Sequence, residues 1–250
     1  MFWTEVERDV LQVSGPDAFT YLQSQLSNDL RPLGVGDSLW SFVLEPGGRI
    51  DALARVWRTA DDTFVLDTDA GAGDALVLRL QRFKIRVRAD IERLDWRCIA
   101  VRGDAAGAVD AIDGLAAWGG GVDLLGPDVV PPAGVAEGTP DDLLAARIEA
   151  SWPAMPSEIE SGRTIPAETG LTTVAVSFTK GCYPGQELVE RMDSRGATAP
   201  RLLKVVDVAP GTQVGDPVTL DGVEVGQVTS VAGSRALAFV KRSARDALSG

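Results

Sequence analysis

The residues of this chain best suited to chemistry lie in one run, Lys180-Gly181-Cys182-Tyr183-Pro184-Gly185-Gln186-Glu187. A thiolate is both a nucleophile and a metal ligand, and its pKa controls how much of it forms. Pro184 suits the first position of a helix, so the sequence predicts a helix from there through Met192, with Tyr183 as N-cap. Cys182 would then stand at the positive end of a helix, beside the free N–H groups of Gly185 and Gln186. That placement lowers a thiol pKa from its usual value of about 8.5. Lys180 would add a nearby positive charge. Gly181 and Gly185 leave room for a ligand to approach the backbone. A free cysteine is most often simply buried, but the residues around this one favour a functional reading. Cys98, between Arg97 and Ile99 in a strand-like run, reads as packing.

The absence of histidine narrows the chemistry. Ser-His-Asp and Cys-His arrangements are excluded, as are most zinc sites. Proton transfer falls to Asp, Glu, Lys, Tyr, Cys or water. Two cysteines without a CxxC form neither a disulfide framework nor a complete iron–sulfur ligand set. No metal site is expected. The charge is acidic, 24 basic against 36 acidic side chains for a net −12. Nucleic-acid affinity comes mostly from Lys and Arg at phosphates, so direct nucleic-acid binding is not expected. The N-terminus has no signal-peptide pattern and no apolar run is long enough for a membrane span. The expected compartment is the cytoplasm, with no membrane partner.

The elements that must position the motif are legible in outline. Residues 8–13 read as a strand. A helix then starts near Pro16, with Phe19, Leu22, Leu26 and Leu30 in an apolar stripe. Strands follow over Ser38 to Leu44, Arg49 to Trp57 and Phe64 to Asp67, with turns at Pro46-Gly47-Gly48 and Asp61-Asp62. A helix is expected over 72–83. Lys84-Ile85-Arg86-Val87-Arg88 alternates charged and apolar residues, which predicts a half-buried strand. A strand over 94–102 and a weak helix near 104–112 come next. Residues 126–140 read as a loop. Thr139-Pro140-Asp141-Asp142 opens a capped helix continued by Leu143, Leu144 and Ile148. Val174 to Phe178 reads as a short strand. After Arg201, strand-like runs at 202–208, 217–220, 223–231 and 235–240, with a hairpin signal at Asp221-Gly222, predict a small β-barrel or sandwich. The fold class is α+β.

Other candidates carry less. Arg79, Arg82, Lys84, Arg86 and Arg88 form a basic cluster that reads either as a solvated face or as a dock for an anionic tail. Arg147 and Glu149 on their own read as a surface pair. Asp67 and Asp69 sit at a strand end.

The run from Phe178 to Glu187 resembles the signature of the YgfZ family, folate-binding relatives of the glycine-cleavage T-protein (aminomethyltransferase). Tyr21-Leu22-Gln23-Ser24-Gln25-Leu26-Ser27-Asn28-Asp29 is similar to the first-helix pattern of that superfamily. Arg147-Ile148-Glu149-Ala150 is similar to its Arg-x-Glu segment, and Ile165-Pro166-Ala167-Glu168 and Glu190-Arg191 with Gly196 fit as well. The chain departs from the pattern at Ser151-Trp152-Pro153, where Gly-x-Pro is usual, and at Thr169-Gly170-Leu171, where Asn-Leu is usual. The resemblance implies a T-protein-like folate-binding region over 1–197, with an internal loop at 126–140 and two interleaved subdomains. A C-terminal β-barrel over 198–250 follows. It implies tetrahydrofolate or another reduced folate as cofactor, and iron–sulfur client proteins as partners. On this chain it makes Cys182, Lys180 and Tyr183 the expected reactive group and its neighbours. Glu149, Arg147, Gly185 and Gln186 become the expected folate contacts, with the Glu149 carboxylate facing the pterin N–H edge.

The function so implied is an accessory protein supporting iron–sulfur cluster assembly or repair. Two alternatives stay open: a folate-dependent aminomethyl transferase, and a non-catalytic binding module.

Overall fold

The computed structural model describes residues 1–103, 112–194, 199–244 and 247. The expected helix near 104–112 lies outside the described residues but for its last position, as does Gly196. The chain begins with β1 (Phe2–Val6), β2 (Arg8–Ser14) and helix α1 (Ala18–Gln25). A meander of β3 (Ser38–Leu44), β4 (Ile50–Ala60) and β5 (Thr63–Asp69) leads to α2 (Gly73–Arg82) and β6 (Asp90–Leu94). Next come β7 (Arg97–Arg102), β8 (Leu115–Ala116), β9 (Val122–Gly126), β10 (Ala136–Glu137) and α3 (Pro140–Glu149). The short helices α4 (Pro166–Thr169) and α5 (Thr172–Ala175) precede α6 (Gln186–Ser194). The chain ends in β11 (Arg201–Asp207), β12 (Pro217–Leu220), β13 (Val223–Ala232) and β14 (Arg235–Lys241).

These elements fall into two compact units, each assembled from separate stretches of chain. One comprises 1–6, 97–158 and 199–250; the other comprises 7–96 and 159–198.

The second of these is built on a five-stranded sheet in the order β3-β4-β5-β2-β6. β4 and β5 are buried along most of their length. Leu22, Leu26 and Leu30 from the predicted stripe are fully buried, together with Phe42, Ile50, Phe64, Leu66, Leu76 and Leu80. Burying each such side chain contributes roughly 1.5–3 kcal/mol. Arg55 and Asp67 are directly opposed across β4 and β5 and are bonded at 2.9 Å, both fully buried. Arg8 also pairs with Asp67, at 2.8 Å. Asp67 is therefore a core ion-pair residue, beyond the strand-end turn that the sequence suggested.

The other unit holds a five-stranded sheet, order β10-β1-β7-β9-β8, and a four-stranded antiparallel sheet, order β11-β14-β13-β12. The four-stranded sheet does not close into the expected barrel. Its edges are β11 and β12, which among the described residues pair only with β14 and β13 respectively. Ile148 of α3 packs with Leu203, Leu237 and Phe239. The turn between β12 and β13 is the predicted one, with Asp221 at φ 50 and Gly222 at φ 78, the left-handed pair of a type I′ hairpin. α3 opens with the predicted cap, where Thr139 and Asp142 exchange side-chain-to-backbone bonds.

Two predicted strands are absent. Residues 84–88 form a loop, because Arg86 adopts φ 57, which breaks an extended run, and Ile85 is exposed. Residues 172–175 form a helical turn, and 176–178 run on without strand pairing. In the other direction, β1 was not foreseen. It pairs antiparallel with β7 and parallel with β10, and both partners are distant in sequence.

Candidate functional site

The cysteine run enters its unit along the end of α1, and polar groups of both segments hold it there. The Lys180 ammonium donates to three carbonyls, of Gln23 and Leu26 at 2.6 Å and of Asn28 at 2.9 Å. These include carbonyls left without intrahelical partners where α1 stops. The Ser27 hydroxyl donates to the Ala175 carbonyl at 2.6 Å, and the Asn28 amide donates to the carbonyls of Trp40 and Val174. The Ser27 carbonyl accepts from the Ser177 N–H at 3.0 Å. The first-helix segment and the cysteine segment are thus joined by hydrogen bonds. Lys180 is almost fully buried. That burial pulls its pKa down to about 8, against the opposing attraction of Asp29. Its three acceptors favour the charged ammonium. Lys180 is an anchor for the run, and its charge is spent on carbonyls.

The turn after Cys182 differs from the expected cap. α6 begins at Gln186, and Gly185 stands ahead of it at φ 83 in the left-handed region. Pro184 therefore precedes the helix, and Tyr183 is not its N-cap. The reason is steric. A Cβ at Gly185 would come within 2.7 Å of the Glu45 carbonyl oxygen and 2.8 Å of the Gly48 Cα. A Cβ at Gly48 would lie 2.5 Å from the Leu188 Cβ. The Pro46-Gly47-Gly48 turn and the cysteine run fit together only because both glycines lack side chains.

Cys182 is exposed. Beside it, a Cβ at Gly181 would meet nothing within 4 Å. Tyr183 turns inward and is only 6% exposed. Its hydroxyl has no hydrogen-bond partner among the described residues. Burial, with the Glu190 carboxylate nearby, pushes its pKa up to about 12, so it stays a phenol. The Lys180 ammonium lies 5.4 Å from the Tyr183 ring centre. The Gln186 side chain donates to Glu190 at 2.5 Å.

Arg147 and Glu149 belong to the other unit. Arg147 forms a clasp. It donates to Glu158 at 2.7 Å, to the Ser230 hydroxyl at 2.6 Å and to the Trp152 carbonyl at 2.9 Å. Ser230 in turn donates to Glu158 at 2.6 Å, and the Ala154 N–H does so at 3.0 Å. Glu158 is fully buried, and sequence reasoning missed it. A lone glutamate in a proline-rich stretch gives no periodic signal of burial. Glu149 is more than half exposed and pairs with Arg235 at 3.2 Å. At the departure from the family pattern, Ser151 takes φ 52 while its N–H bonds the Ile148 carbonyl at 2.9 Å, closing the helix end. That is a position where glycine is the usual occupant.

The basic cluster is largely neutralised. Arg79 is buried and bonds Leu44, Gln25 and Asp51, Arg88 pairs with Asp17, and Lys84 lies 4.0 Å from Asp90. Among the described residues, no group of three acidic, cysteine or histidine side chains is placed to hold a metal.

No protein-family model matches the chain. Curated relatives do. A tRNA-modifying protein YgfZ from Enterobacter is 30% identical over 74% of this chain and 65% of its own length. The human iron–sulfur cluster assembly factor IBA57, a mitochondrial protein, is 28% identical over 93% of this chain and 75% of its own. A Neurospora crassa homologue of IBA57 is 24% identical over 87% of this chain, which spans 57% of the fungal protein. Among solved structures, aminomethyltransferase T of the glycine cleavage system from Bartonella henselae superposes with a TM-score of 0.75 at 18% identity, covering 96% of this chain and 78% of that one.

Proposed function

From a chain that is a homologue of the YgfZ and IBA57 proteins, the YgfZ family, and has the fold of aminomethyltransferase T, we propose a tetrahydrofolate-binding accessory protein. It supports iron–sulfur cluster assembly or repair in client enzymes, with Cys182 at its working site. The observation that carries the iron–sulfur reading is the relationship to proteins named as iron–sulfur cluster assembly factors across most of this chain. The thiol reading is supported by the exposure of Cys182 on a segment anchored by Lys180. An exposed thiol on a fixed backbone meets a large partner without paying to order a loop.

The folate reading is supported by the buried Tyr183 hydroxyl, which lacks a partner among the described residues, and by the open space at Gly181. A polar heterocycle with adjacent donors and acceptors satisfies such a hydroxyl, which otherwise costs roughly 1–3 kcal/mol. Tyr183 and the exposed backbone of Gly181 would hold the cofactor. Bound tetrahydrofolate would supply one-carbon chemistry, and this chain's residues bind and orient it. The cytoplasm is the proposed compartment; among the described residues no helix is long and apolar enough to cross a membrane.

The test separates thiol from pocket. Cys182→Ala is expected to keep the fold and its tetrahydrofolate affinity in calorimetry while failing to restore iron–sulfur enzyme activity in cells lacking the protein. Tyr183→Phe is expected to weaken folate binding. Full restoration by Cys182→Ala rejects the thiol role, and no heat of binding with well-folded wild type rejects the folate role.

A further inference from the structure

A cleft of about 360 Å³ opens in the unit made of 7–96 and 159–198, and the cysteine run does not line it. One wall is the outer face of α1, through Thr20, Tyr21, Ser24 and Gln25. The other is Phe83 and Arg86, just past the end of α2. The walls are fixed before any ligand arrives. Tyr21 donates its hydroxyl proton to the Leu80 carbonyl. Gln25 accepts from Arg79 at 3.1 Å, and Arg79 lies with its guanidinium carbon 4.0 Å from the Phe83 ring centre.

The charges of the lining do not cancel. Asp17 accepts two bonds from the Arg88 guanidinium, at 2.9 and 3.1 Å, and a third from the Arg88 backbone N–H, so its carboxylate is neutralised in place. Arg86 is exposed and makes no hydrogen bond or ion pair among the described residues. Its backbone sits at φ 57, a conformation that costs free energy in a non-glycine residue. The cleft therefore offers one uncompensated guanidinium, a half-buried aromatic ring, and a Thr20 hydroxyl.

We propose that this cleft is a second ligand site, for a small planar monocarboxylate of the aryl-acid class. Arg86 takes the carboxylate through its two-point fork, and the Phe83 ring lies against the aromatic body. The volume is in the range of small-molecule pockets. A single guanidinium matches one carboxylate, so a polyanion gains little over a monoanion, and a neutral compound forfeits the ion pair. The site stands independently of the folate reading.

Benzoate titrated into the full chain and followed by amide NMR tests it. Saturable shifts are expected at Thr20, Ser24 and Val87, with a midpoint below about 10 mM, and none at Cys182. Arg86→Asn removes the charge with a residue that tolerates the left-handed backbone, and it weakens binding at least tenfold. Thr20→Trp, at an exposed position, fills the cleft and abolishes binding while leaving thermal unfolding unchanged. Absence of saturable shifts with benzoate overturns the proposal. So does equal affinity in both variants, or inorganic phosphate binding as tightly as benzoate.

Discussion

Lys180 carries a different role from the one its position beside Cys182 suggests. In one dimension a lysine near a thiol is an electrostatic activator. In three dimensions its ammonium is committed to three carbonyls at the end of α1. The neutral and charged forms are then in competition, since burial opposes the charge while the acceptors favour it. With a folded pKa near 8 against an ordinary value of 10.5, the unfolded chain binds more protons between those pH values. The linkage sign follows: stability attributable to this group rises as pH climbs from about 8 to 10.5, and it is lost as pH falls back through 8. Denaturation by urea at a series of pH values should show the wild type gaining on Lys180→Met across that window. A constant gap would mean that the lysine does not titrate there. Other residue roles were equally illegible. Glu158 is a buried carboxylate bonded by Arg147 and Ser230, and the partners that make it tolerable lie 11 and 72 positions away. The run around Cys182 was legible as a motif, because its residues form a long and specific string.

At the scale of elements, local chemistry was readable wherever the signal was local. The Thr139 cap, the Asp221-Gly222 hairpin and β3 at Ser38–Leu44 stand where the residues predict them. Prediction failed where a neighbour in space overrides the local pattern. Pro184 looks like the first residue of a helix, yet Gly185 takes the left-handed conformation to clear Glu45 and Gly48, so α6 starts later. Gly185→Ala is expected to destabilise the protein by about 2 kcal/mol or more, from strain plus the clash. Thermal unfolding with an intact far-UV spectrum would measure it, and an unchanged midpoint would refute the close fit. Ser151 is the mirror case, a side-chain-bearing residue at φ 52 closing α3. Ser151→Gly is expected to stabilise by about 1 kcal/mol, read as a raised urea midpoint at constant m-value.

For the molecule as a whole, net charge discriminates between the names its relatives carry. At −12, the chain meets a polyphosphate with overall repulsion. Its basic cluster is mostly paired internally, by Asp51, Asp17 and Asp90. Direct tRNA binding should therefore be weak. Filter binding at 150 mM salt is expected to show no saturation up to about 10 μM tRNA. Tight binding with a steep salt slope would instead favour direct action on RNA. The division into two units is a further property of the whole. The chain contributes six residues to one unit, leaves for the other at Glu7, and returns at Arg97. β1 is the strand that this path makes hardest to read, since its partners β7 and β10 lie far down the chain.

The sequence by itself determined the α+β class, most of the local elements, the acidic character and the run around Cys182. Each of these is written in residue types and short spacings, where backbone preference and side-chain chemistry act over a few positions. Tertiary structure alone decided that the ammonium beside the cysteine grips α1, that Asp67 and Glu158 are buried in ion-pair networks, and that the last four strands form an open sheet. Those outcomes depend on which distant groups share a low-dielectric interior and on which strand edges meet. Neither is encoded at any single position.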